Sequence, residues 1–214
     1  MSSTWKLVPL VAAALLGSAA VATAGPAAPP PAVADLWTVP AAPAESATLI
    51  VAYSFGNRVP AGVDPARTVG EPGPVNTELA AAVVAARGDR RIPVYAQTEI
   101  AEVLRSAYGM TDVIAIDPDR AADGTLVYLS TDGVAAKIAE VRGGAVAGDR
   151  AAVVAFADHL WRATRTTAAH GFDAFAPAGV AMPNHYDPYS GQLWTTSPVL
   201  YLPTDFAGRL ALLR

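Results

Sequence analysis

Residues 151–172 read AAVVAFADHLWRATRTTAAHGF. The first seven, 151–157, are apolar and too few for a helix, which suits a central parallel strand covered on both faces. Asp158 then offers an N-cap carboxylate to a helix that runs to Gly171. In open α/β sheets, ligands sit beyond the carboxyl ends of the strands, against helix N-termini. His159 and Arg162 are three residues apart at that junction, so they share a helical face, which Arg165 continues. A guanidinium, an imidazole and a positive helix end favour an anion such as phosphate or carboxylate. The competing expectation is structural, with His159 packing and capping while Arg162 pairs with a carboxylate.

Working outward, residues 48–53 (TLIVAY), 92–97, 112–117 and 172–176 have the short apolar, β-branched character of strands. Residues 76–87, 98–108, 130–142 and 199–214 have helical composition, with Asn76 and Ser130 or Thr131 as N-caps and Asp205 near the start of the last. Strands and helices alternate about five times. That predicts an α/β fold: a Rossmann-like three-layer domain over 48–214, with a mostly parallel sheet of about five strands.

Composition narrows the function. A net charge of -4 and a pI near 5.3 argue against a nucleic-acid partner. The absence of cysteine removes disulfides, thiolate chemistry and cysteine-rich zinc sites. Three scattered histidines give no metal-ligand spacing, so no metal is expected. No G-x-G-x-x-G follows the first strand and no P-loop occurs, so a dinucleotide or ATP cofactor is unsupported.

Residues 1–24 read as a Sec-type signal peptide: Lys6, an apolar run over 7–21, then Ala22-Thr23-Ala24. An uncleaved anchor is the alternative, although the run is shorter than the ~20 residues a spanning helix needs. Residues 25–47 are a Pro/Ala-rich linker that Trp37 could tack onto the domain. No transmembrane span is expected after signal cleavage, and the location is extracytoplasmic, secreted or bound to the cell envelope.

Two loops matter. Ser54 in AYSFG resembles a nucleophile elbow, but residues 58–74 hold too many Pro and Gly residues to supply the helix an elbow needs. That long loop could fold over the site and bring Arg58 and Arg67 as anion contacts. Residues 185–194 carry His185, Tyr186, Tyr189 and Trp194, either packed or forming a partner surface.

Residues 48–214 resemble a divergent member of the YdcF-like group, which includes SanA and ElyC and is also known as domain of unknown function 218. The family's central strand is followed by His-x-x-Arg-Ala, carried here by His159, Arg162 and Ala163, and by a Gly-Phe-Asp strand at Gly171 to Asp173. Gly56 matches the glycine after strand one, Glu99 the glutamate opening the helix after strand two, and Thr131 the threonine opening the helix before the central strand. The chain departs from the pattern elsewhere. Ala96-Gln97-Thr98 replaces a Ser-Gly-Gly turn, Gly133 and Val134 replace an acid and Asn, Ala155 replaces Thr, and the first-helix Arg is missing from residues 76–79.

The resemblance implies a Rossmann-like domain at the bacterial envelope, in a family linked to envelope integrity and to peptidoglycan or lipid-carrier metabolism. One member is reported to bind S-adenosylmethionine. That molecule is scarce outside the cytoplasm, so no cofactor is expected here. The resulting expectation is an exported YdcF-like protein that binds a small anionic, phosphorylated or nucleotide-like ligand at Gly56, Glu99, Thr131, His159 and Arg162. Arg162 would grip the anion, His159 would supply a hydrogen bond or proton, and Glu99 would position a hydroxyl or act as base. No reaction is implied. The alternative is a non-catalytic envelope interaction protein with a degenerate site and a protein partner.

Overall fold

The computed structural model describes residues 36–213, so the signal sequence and most of the Pro/Ala-rich stretch lie outside the described residues. Two short stretches, apolar but for Arg150 at the start of one, form the middle of the fold. Strand β2 (Leu49–Ala52) is buried along its whole length and pairs in parallel with β7 (Arg150–Val154), Leu49 opposite Ala151. On the other side β2 pairs with β3 (Val94–Gln97), and β3 with β4 (Val113–Ile116). Beyond β7 come β8 (Asp173–Ala178) and the edge strand β1 (Ala41–Pro43).

The six strands are all parallel, in the order β1-β8-β7-β2-β3-β4. Helices α1 (Gly73–Arg87), α2 (Thr98–Tyr108), α3 (Thr131–Arg142) and α4 (Ala157–Ala169) connect them. The hairpin of β5 (Asp119–Arg120) and β6 (Leu126–Val127) lies between β4 and α3, and α5 (Pro198–Ala211) closes the fold.

Alternation along β2 makes the layers. Ile50 and Ala52 face one core with Leu79 and Val83 of α1 and Ile100 and Leu104 of α2. Leu49, Val51 and Tyr53 face the other with Val134 and Ile138 of α3 and Ala163 of α4. This is the expected Rossmann-like three-layer α/β fold, with helices on both faces of one parallel sheet.

The structure differs from the sequence expectation at four places. A sixth strand, β1, is recruited from the Pro-rich stretch. Proline is tolerated there because Pro43 lies on an edge and Pro177 lies in the half of β8 that pairs with β1 alone. Helix α1 starts at Gly73, so Asn76 is not its cap but a fully buried residue in its first turn. Helix α4 starts at Ala157 with Phe156 as N-cap, so Asp158 does not cap it; its carboxylate accepts a bond from the Tyr186 hydroxyl (2.7 Å). Asp205 lies in the middle of α5, not near its start, because Pro198 already begins the helix. Ser130 does cap α3, accepting from Gly133 N–H at 3.1 Å.

Candidate functional site

The strand order reverses direction between β2 and β7, and a cleft of about 340 Å³ opens at their carboxyl ends. It is the position where doubly wound sheets hold ligands. A larger hollow of about 470 Å³ lies on the opposite edge, lined by Arg87, Arg90 and Arg91. There Arg87 is locked to Asp112 and Arg90 is bound to the carbonyls of Ala47, Ala86 and Arg87, and the hollow lies away from the carboxyl ends of the strands, at the ends of α1 and α2. The cleft at the strand ends is the better candidate.

Its floor is the turn after β2. Gly56 has φ +71°, a left-handed conformation that other residues adopt only with strain, and an added Cβ would lie 2.5 Å from Ser190 Oγ. Asn76 fixes the turn from below. Its Oδ1 accepts from Phe55 N–H at 3.0 Å, and its Nδ2 donates to Gly56 O (2.8 Å) and Pro72 O (2.7 Å). Ser54 N–H donates to Gln97 Oε1 at 2.9 Å, tying the turn to the start of α2.

Three helices begin at the rim. Gln97 flanks the start of α2, Ser130 and Thr131 start α3, and His159 is in the first turn of α4; all four line the cleft. Of the five residues expected at the site, the structure brings four together here: Gly56, Thr131, His159 and Arg162.

Glu99 is the exception, and its expected role as a direct ligand contact is corrected. It is buried in the first turn of α2 and does not line the cleft. Burial pushes its carboxyl above the ordinary range, opposed by its own backbone N–H and by the neighbouring Ser54 and Asn57 side chains, and its Oε1 has no hydrogen-bond partner. A helix that starts directly at the end of β3 turns this side chain into the core, one residue removed from the cleft through Ser54.

Arg162 is engaged on three sides. Nε donates to Asp205 Oδ1 (2.9 Å), Nη1 to Thr131 Oγ1 (3.0 Å) and Nη2 to the Tyr201 hydroxyl (3.0 Å). Gly208 makes this approach possible, since a Cβ there would lie 2.7 Å from Arg162 Cδ. Asp205 is itself shared. Arg209 Nε donates to its Oδ2 at 2.6 Å, while Arg209 Nη1 and Nη2 hold the carbonyls of Leu36 and Asp158, both at 2.8 Å. Two guanidiniums thus flank one carboxylate, and the trio of Arg162, Asp205 and Arg209 keeps one net positive charge.

His159 is neutral in this setting. Burial pushes its imidazole down to about 4, and the cationic Arg162 and Arg209 act in the same direction against the attraction of Asp205. Nε2 lies 3.4 Å from Thr131 Oγ1; Nδ1 lies 3.9 Å from Asp205 Oδ1, too far to bond, and has no partner. The His159 ring should therefore show no NMR titration between pH 5 and 8. Because its folded pKa lies below the unfolded value near 6.5, acid protonates the unfolded chain first. Stability should fall as pH drops from about 6.5 to about 4, a slope that His159→Gln removes in urea titrations.

The remaining sequence candidates take other roles. Arg58 makes a two-pronged pair with Asp187 (2.8 and 3.0 Å), and Arg67 binds Asp123 O; neither lines the cleft. Arg165 lies over the Trp161 ring at 5.5 Å. The aromatic tract divides. Tyr186 packs on Phe156 and Phe55, whereas Tyr189 and Trp194 are exposed and Trp194 lines the cleft. Among the described residues no group of three or more His, Asp or Glu side chains is placed to hold a metal ion, and no helix is long and apolar enough to cross a membrane.

Sequence reasoning missed Tyr201, Asp205, Arg209 and Asn76 as parts of the site. Asp205 and Arg209 did leave a signal: they are four residues apart and are the charged residues of an otherwise apolar helix. Asn76 left none, since an asparagine near a helix start reads equally well as a cap. No family model, no curated protein and no solved structure matches this chain.

Proposed function

We propose that the chain is an exported, YdcF-like protein of the bacterial cell envelope that binds a small anionic ligand, phosphorylated or nucleotide-like, in the cleft between β2 and β7. The observation that carries this reading is the convergence of three helix N-termini and the net positive Arg162–Asp205–Arg209 trio on one polar cleft. Arg162 uses Asp205 to hold its fork in place and keeps further N–H groups for the ligand. The Thr131 hydroxyl and neutral His159 add polar contacts at the wall. With an imidazole that stays neutral, His159 acts as a hydrogen-bonding partner and not as a standing positive charge.

The test is binding to the full chain. Native mass spectrometry should find a co-purified phosphorylated molecule, and inorganic phosphate or adenosine monophosphate should shift NMR signals at Gly56 and Thr131. Thr131→Val and Arg162→Lys should each weaken that binding about tenfold, the size of one lost charge-assisted hydrogen bond. An empty cleft with unmoved signals would overturn the proposal. It would favour the second reading, a non-catalytic interaction protein. The observation supporting that reading is that the three bonds of Arg162 are satisfied within the protein itself.

A further inference from the structure

Helix α5 is built inside out. Its charged residues, Asp205 and Arg209, are both buried and paired with each other. Val199, Leu202, Phe206 and Leu210 recur at helical spacing on the outer side and are exposed. Leu200, Pro203, Ala207 and Ala211 are exposed as well. Thr204, the exposed hydroxyl of the helix, already donates to Tyr201 O at 2.7 Å. A surface helix of a water-soluble domain shows the reverse pattern, with its charges outward. Trp37 stacks on Phe206 with ring centroids 6.2 Å apart, so the apolar face extends beyond α5 itself.

We infer that this face docks on a lipid bilayer, with α5 lying in the plane of the interface. Three observations select lipid as the occupant. Trp37, stacked on Phe206 of this face, is an amphipathic ring of the kind that settles at headgroup depth. The described chain begins against α5, where Leu36 O accepts from Arg209 Nη1. Upstream lies the apolar run over residues 7–21, joined by residues 22–35, which span at most about 50 Å when extended. Retained uncleaved, the alternative to signal cleavage, that run would tether the domain within this reach of a membrane. Finally, among the described residues the outer face offers no charge and no unsatisfied polar group to set the register of a protein partner, which a fluid hydrocarbon surface does not need. With a net charge of -4, the attraction is apolar and not electrostatic.

The inference uses the outer side of α5 and stands or falls separately from the cleft reading. Because the chain has no cysteine, a single one can report on the face. In the full chain, Leu210→Cys carries an environment-sensitive fluorophore, and Arg91→Cys, exposed on the opposite edge of the sheet, serves as control. Zwitterionic phosphatidylcholine vesicles should raise emission at position 210 roughly twofold or more and leave position 91 unchanged. About 1 M salt should not reverse the rise, and adding Phe206→Glu should abolish it. Since the readout is local to α5, insertion of the leader alone does not produce it. A solvent-like probe at 210 in the presence of vesicles overturns the inference. So does a vesicle response that high salt abolishes, or a probe buried without vesicles as the protein self-associates.

Discussion

Replacing Asp205 with alanine is expected to destabilise the protein by about 3–5 kcal/mol, measured by urea unfolding. The reason is asymmetry. The pair interactions of Asp205 offset the cost of desolvating three charges, and removing the carboxylate leaves two guanidiniums, from Arg162 and Arg209, facing each other in a largely buried site. Tyr201 loses an acceptor at the same time. Asp205→Asn keeps the shape but not the charge and should recover only part of the loss. The pH dependence identifies the cause. Burial opposes ionisation of Asp205, but the neighbouring His159 imidazole and the bonds from Arg162 and Arg209 together outweigh it and hold the carboxyl well below the usual carboxylate range. Its folded pKa is thus lower than its unfolded value near 4. The stabilisation is fully present above about pH 4 and fades as pH falls through the lower, folded value. Asp205→Asn should flatten this acid limb, whereas the His159 slope should persist and reach to lower pH, because losing the Asp205 attraction lowers the folded imidazole pKa further.

Asn76→Leu is the second large effect, expected at about 2–4 kcal/mol with little pH dependence between 5 and 8. Leucine has nearly the same shape as asparagine, so the loss is not one of volume. It comes from two buried backbone groups left without partners, Phe55 N–H and Gly56 O, each costing about 1–3 kcal/mol. Those groups belong to the turn that forms the cleft floor. Hydrogen exchange at Phe55 should therefore accelerate more than exchange in the middle of β2, and cleft binding should weaken beyond the loss of global stability. Asp205→Ala predicts a different exchange pattern, with α4 and α5 loosening together.

The parts of the fold visible in the sequence are those fixed by local rules. The strand at residues 151–154 was legible from its context and not from its composition: the same AAVVA sequence lies in helix α1 at Ala81 to Ala85, where it belongs to a longer helical run, whereas here the apolar run is short and follows Gly148-Asp149-Arg150. The juxtaposition of His159, Arg162 and Thr131 was also legible, since each sits at a strand end or helix start and the topology brings those to one edge. Strand β1 was hidden, because Ala41 to Pro43 has no strand propensity and pairs only because β8 presents an open edge. The partner of Arg162 was hidden for a related reason. Arg162 and Asp205 are brought together by the docking of α5 on α4, a tertiary event that no local spacing records. Glu99 failed differently: its place at the start of α2 was right, but rotation about the helix axis put its carboxyl inside.

Strand β8 serves two neighbours in turn, its first half meeting β7 and its second half meeting β1. The strand made earliest is thus completed by residues made near the end, and β2 likewise waits for β7. While β2, β3 and β4 can pair once residue 116 has been made, the other half of the sheet waits for residues 150–178, so its order depends on contacts far apart in sequence, the kind that slows folding.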